Sequence, residues 1–346
     1  MPWCRSGEEH VQVLDGLRGL AALMVVASHA SNMGVGWVPG VSLSGIGKHG
    51  VFLFFVLSAF LLSTRWMAIV QARQALRPAV SSYLIGRFFR IYPLYVLVLL
   101  VGWALQPRGL GVPMDGEAVA RHLLLMDGRE IYWSIPVEFQ FYLALPLVAG
   151  LLATPLPIWL RLSVWGALVA LTLWYYPPDL APLNSPLLGY YLPVFLIGSL
   201  AAWAQGLSLA ARVRHRVSMF DLIVFLALIL STPAVWSVLL QVSTPPDFLH
   251  RATVAWGAGW AAVVVGLVWG HLPLCAQILS GAPLRLCGRW SFGLYLLHIP
   301  ALAVAKRVPM AAPLQGLLGL AIAICLANLA YRLIEAPALR CSARWR

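Results

Sequence analysis

The chain has 346 residues, of which 61% are hydrophobic and only 10% charged. That balance excludes a soluble globular protein of this size and points to a membrane protein. The net charge of +12 calls for no nucleic acid, because basic loops lying beside anionic lipid headgroups account for it.

Ten apolar stretches of near-spanning length lie at about 13–33, 45–63, 91–106, 136–153, 157–176, 187–205, 219–240, 252–271, 290–305 and 313–334. They predict an all-α, polytopic integral membrane helical bundle of about ten transmembrane helices, forming one domain over 1–346. The third stretch is short and is expected to begin earlier, near Tyr83. The first is read as a permanent helix: Asp15 and Arg18 interrupt what would be a signal peptide's apolar core, and Ser28-His29-Ala30 is a poor cleavage site. With both termini inside, sixteen basic residues fall in inner loops (Arg5, Arg65, Arg73, Arg77, Arg87, Arg90, Arg161, Arg212, Arg214, Arg216, Arg285, Arg289, Arg332, Arg340, Arg344, Arg346) and seven in outer ones. Six of the twelve acids, Asp247 among them, fall outside. The largest inner loop is expected near 64–90 and the largest outer loop near 107–135. The five cysteines show no paired spacing, so they imply neither a disulfide framework nor a metal site.

The first helix carries Asp15, Arg18 and His29 in an otherwise apolar run, where ionisable groups are costly and mark function by default. Asp15 stands three residues before Arg18, so the two can pair. At ~100° per residue, the Arg18–His29 spacing returns to within roughly 20° of one face, with about 16 Å between them along the axis. The second helix opens with the aromatic and small residues of 50–62, which read as close packing, with His49 at its outer mouth either a site residue or, on the simpler reading, an interfacial polar group. Arg87 and Arg90, three apart at the inner entrance of the third helix, suit paired recognition of phosphate oxygens or serve as a topogenic cluster. Glu138 lies two residues past Pro136, in the first turn of the fourth helix. There it either complements the helix dipole, or orients a base or binds a hydroxyl-rich acceptor. Trp133 and Tyr142 flank it as interfacial anchors or sugar-stacking faces. In the ninth helix Ser291, Tyr295 and His298 fall at i, i+4 and i+7, a polar stripe that suggests a lined cavity. Glu335, at the inner end of the tenth, most simply pairs with a neighbouring arginine.

Taken together these segments resemble the acyltransferase-3 family of multi-spanning membrane acyltransferases. The resemblance rests on Asp15-Gly-Leu-Arg18 with His29, Phe54-Phe-Val-Leu-Ser58, Arg87-Phe-Phe-Arg90-Ile-Tyr-Pro93, Trp133-Ser134 with Glu138 and Phe141-Tyr142, Tyr295-Leu-Leu-His298 and Glu335-Ala-Pro337, in the family's order. Ala59, Phe52, Phe139 and Phe292 depart from the family's usual residues, and they bear on substrate more than on chemistry. The resemblance implies a cytoplasmic acyl-coenzyme A donor, most simply acetyl-coenzyme A, and a carbohydrate or glycolipid hydroxyl acceptor on the outer side. It also implies the inner membrane of a bacterium. No hydrolase-like domain of the kind fused to some members occurs in the sequence, so transfer is expected to be completed by the membrane domain or a separate partner. Attack of a sugar hydroxyl on a thioester needs a base, and His29 is assigned that role, with Glu138 orienting it or the acceptor. A transient acyl-histidine is the competing mechanism. Asp15 and Arg18 join them on the catalytic path, and Ser291, Tyr295 and His298 join Arg87 and Arg90 around the donor. No metal is required. The rival class is a secondary transporter or a flippase of a lipid-linked sugar, which would also carry intramembrane charge.

Overall fold

Prolines and glycines decide where this very apolar chain stays helical and where it bends. The computed structural model describes residues 3–207, 218–230, 232–241 and 251–344, and every regular element among them is helical. Arg212, Arg214, Arg216, Asp247 and Arg346, and the side chain of Arg5, lie outside the described residues. In chain order the helices are α1 (Trp3–Asn32), α2 (Ile46–Gln71), α3 (Leu76–Leu105), α4 (Gly116–Leu123), α5 (Ser134–Ala153), α6 (Ile158–Tyr175), α7 (Leu192–Ala204), α8 (Met219–Leu230) and α9 (Pro233–Leu240). There follow α10 (Thr253–Val268), α11 (Pro273–Leu279), α12 (Ala282–Arg289), α13 (Ser291–Ala305), α14 (Ala312–Ala330), a π-helical turn (Tyr331–Glu335) and α15 (Ala336–Ala343).

Six helical segments are long and apolar enough to cross a membrane, and α10 with α11 makes a seventh if that pair, bent by 90°, counts as one span. The chain is therefore a multi-pass helical membrane protein. The expected ten stretches all fall on helices, but α7, α8 and α13 have only 13, 12 and 15 residues. Pro233 lacks the backbone donor a continuous helix would need and separates α8 from α9, while Gly270, at φ 77°, turns the chain between α10 and α11.

The 64–90 loop is not observed. Helices α2 and α3 extend past their apolar cores and leave only 72–75 between them, so Arg65, Arg77, Arg87 and Arg90 all sit on helices. Helix α3 begins at Leu76, before Tyr83, as the short third stretch suggested.

Helix α1 is packed between α2, α12 and α13. Gly19 and Gly288 allow the backbones of α1 and α12 to touch, and Gly16 does the same between α1 and the end of α11: a Cβ on Gly288 would run into the Asp15 carbonyl, one on Gly19 into that of Leu284 and one on Gly16 into that of Leu279. Behind α2, the rings of Phe55, Phe195 and Phe141 stack at centroid separations of 4.5 and 4.1 Å. This apolar wall joins α2, α5 and α7 and leaves the polar residues of α1, α3, α5 and α13 on the opposite side.

Candidate active site

The polar residues of six helices, α1, α2, α3, α5, α12 and α13, converge on one cavity of about 480 Å³. Asp15 and Arg18 of α1, Ser58 and Arg65 of α2, Arg87 and Arg90 of α3, Ser134, Glu138 and Tyr142 of α5, and Arg289, Ser291 and Tyr295 near the start of α13 all border it. Along α2 the lining runs from Val51 to Arg65, about 21 Å at 1.5 Å per residue. Five arginines against two carboxylates make it strongly cationic.

Each charge has a distinct anchor. Arg18 Nη1 lies 3.8 Å from Asp15 Oδ1, the i, i+3 pair expected from spacing. Arg90 Nη1 lies 3.2 Å from Glu335 Oε2, and Glu335 is only 1% exposed. The π-helical turn at 331–335 supports that contact: it is a one-turn widening of the helix, a feature frequent at functional sites, and Glu335 is its last residue. The Arg87 guanidinium carbon stands 6.0 Å from the centroid of the Tyr142 ring. Arg87 and Arg90 thus share one cavity wall, while Arg90 alone is tied to a buried acid.

Glu138 does not lie in the first turn of its helix as expected, because that helix, α5, already begins at Ser134. A 3-10 turn at Glu130–Trp133 carries Trp133, Ser134, Ile135, Pro136 and Val137 into the bundle, so Glu138 sits inside the cavity. Its Oε1 accepts hydrogen bonds from Ser58 Oγ at 2.9 Å and from the Tyr142 hydroxyl at 2.5 Å. Neither partner is His29. Trp133 and Tyr142 are no interfacial anchors either: both are buried, and Trp133 lies beneath the Lys48 ammonium, 4.3 Å from its ring centroid. His49 is likewise buried, against the Trp256 ring at 4.1 Å, rather than at an interface.

The α13 stripe splits in two. Ser291 and Tyr295 border the cavity, and the Tyr295 hydroxyl accepts from Ser134 Oγ at 2.9 Å while donating to the Ile131 carbonyl at 2.5 Å. Neither His29, the expected base, nor His298 borders the cavity; His298 faces the far end of α1, its ring centroid 4.9 Å from that of His29 and 6.2 Å from that of Tyr295. The sequence of rings from cavity to α1 is therefore Tyr295, His298, His29. Ser58 is a site residue that sequence reasoning left as packing. Its signal was present, as the single hydroxyl inside the 50–62 run.

An internal cationic cavity in a bundle of membrane-length helices defines a multi-pass membrane protein built around an intramembrane polar site. The comparisons identify which one: a family model described as an acyltransferase domain matches residues 11–332, and the chain belongs to that acyltransferase-3 family. It is 26% identical to the peptidoglycan O-acetyltransferase OatA of Listeria monocytogenes, over 96% of this chain and 56% of that protein. It is also 26% identical to the acyltransferase MdmB of Streptomyces mycarofaciens, over 96% of this chain and 92% of the relative. The chain thus spans just over half the length of the peptidoglycan enzyme. No solved structure matches it.

Proposed function

We propose that this chain is a membrane O-acyltransferase that draws an acyl group, most simply acetyl, from cytoplasmic acyl-coenzyme A and transfers it to a carbohydrate hydroxyl on the opposite face. The observation that carries the reading is the clustering of Arg18, Arg65, Arg87, Arg90 and Arg289 around one cavity that runs deep along α2. Guanidinium groups offer paired donors to phosphate oxygens, which suits the phosphates of coenzyme A at the arginine-rich end. The thioester arm would then lie along Ser58, Glu138 and Tyr295 towards the histidines. His29 is the base: it takes the acceptor hydroxyl's proton as the oxygen attacks the thioester carbonyl, and the coenzyme A thiolate leaves and is reprotonated. A carbohydrate acceptor fits the naming of OatA as a peptidoglycan O-acetyltransferase.

The test is transfer by purified protein in lipid vesicles, using acyl-coenzyme A labelled in its acyl group and a soluble glycan acceptor. Labelled ester on the glycan is expected, and His29→Ala should abolish it while the protein remains monodisperse. Movement of unmodified acceptor across the membrane with no ester formed would favour the flippase instead.

A further inference from the structure

His298 is fully buried, at 0% exposure, and its Nδ1 lies 2.7 Å from the Tyr295 carbonyl oxygen. A carbonyl can only accept, so Nδ1 carries the proton and Nε2 presents a lone pair. That Nε2 has no hydrogen-bond partner, an expensive state for a buried polar atom. The other imidazole against it is His29, with the two rings tilted by 51°.

From this geometry we propose that His298 is a positioning residue for His29: in the loaded site its unpartnered Nε2 lone pair takes up the N–H of the neighbouring His29 ring and so aims the other His29 nitrogen, unprotonated, at the acceptor hydroxyl. The inference rests on the reading of His29 as the base. A base that must present a lone pair on one side needs its N–H engaged on the other, and a third group that fixes the tautomer is the usual means. His298 is suited to this because its own tautomer is set by a local backbone contact, Nδ1 to a carbonyl three residues back on the same helix. When His29 takes the acceptor's proton, the resulting imidazolium shares its original N–H with Nε2 of His298. No proton leaves the pair until the thiolate departs. The Tyr295 hydroxyl, held by Ser134 and Ile131, keeps the carbonyl-bearing turn of α13 in register with the cavity wall.

Kinetics of purified His298→Leu and His298→Gln in lipid vesicles test this. Outer-shell partners of this kind are worth about 10–100-fold, so His298→Leu should lower kcat by that factor with KM for acyl-coenzyme A unchanged. His298→Gln keeps an acceptor oxygen near the Nε2 position and should recover much of the loss. Equal kcat losses in both variants, or a change confined to KM, would overturn the proposal. Should His298→Leu fail to fold, 15N spectra of histidine-labelled wild-type protein decide the matter. A single fixed tautomer for His29 is expected, and a mixture of tautomers would overturn the pairing. Failure of the underlying reading is distinguishable, because His29→Ala would then retain transfer whatever His298 does.

Discussion

Glu138 carries two hydroxyl donors on a single oxygen, Oε1, which leaves Oε2 available to whatever enters the cavity. Glu138→Gln keeps an acceptor for Ser58 and Tyr142, whereas Glu138→Ala leaves both hydroxyls without one. The alanine variant should therefore lose about 1–3 kcal/mol of stability in thermal unfolding, and the glutamine variant much less. Equal unfolding temperatures in the two would refute the hydrogen-bonding account. Arg87 and Arg90 differ in a parallel way. Removing either should weaken acyl-coenzyme A binding by about 1.5–3 kcal/mol, roughly 10–100-fold in KM, with lysine restoring only part because an ammonium lacks the planar fork. Arg90→Ala also strands the buried Glu335 carboxylate, at a cost of about 3–5 kcal/mol in stability, so it should fold poorly. Adding Glu335→Gln should rescue its folding without rescuing donor affinity. If the double variant binds donor like wild type, Arg90 serves the fold alone. Spacing along single helices was enough to find Arg18, Arg87, Arg90, Ser291 and Tyr295, which share the cavity. It could not name the neighbours of Glu138 or His298, because those lie on other helices and periodicity reports a face but not what stands opposite.

At the scale of elements, α1 is the helix most dependent on backbone contact. Gly16 meets the Leu279 carbonyl, Gly19 that of Leu284, and Gly288 of α12 the carbonyl of Asp15. Gly288→Ala should push α12 away from the turn that carries Asp15 and Arg18, costing about 1–3 kcal/mol or more because neither backbone can yield locally. The check is the monodisperse fraction on size exclusion in detergent, where unchanged recovery and unfolding temperature would contradict the contact. These glycines were visible in the sequence, but their purpose was not, since it depends on an approach between segments some 270 residues apart. The same limit applies to span counting. Hydropathy located the long apolar helices among the described residues but not the short α11, and the break at Pro233 and the bend at Gly270 interrupt or redirect two of the expected stretches. The inward 3-10 turn at 130–133 leaves no periodic signal at all.

For the molecule as a whole, charge and cavity make a joint statement about sidedness. Four of the five arginines that border the cavity, Arg65, Arg87, Arg90 and Arg289, belong to the same basic set that the positive-inside rule assigns to the cytoplasm. His29 lies at the other end of α1, whose candidate span runs from Gln12 to Asn32. A charged nucleotide thioester cannot cross hydrocarbon, so under the proposed function only the acyl end of the donor would travel between those levels, within protein that keeps polar groups satisfied. Two measurements follow from one orientation. In a cysteine-free background, Arg77→Cys should react with an impermeant maleimide only after the membrane is opened, and Lys306→Cys should react in intact cells. In vesicles sealed with the Arg77 face outward, acyl-coenzyme A added outside should esterify acceptor trapped inside. Labelling of both positions from one side would overturn the orientation. Transfer that occurs only when donor and acceptor share a compartment would show that the acyl group does not pass through the bundle, and His29 and His298 would then act on a thioester that reaches them from the outer face.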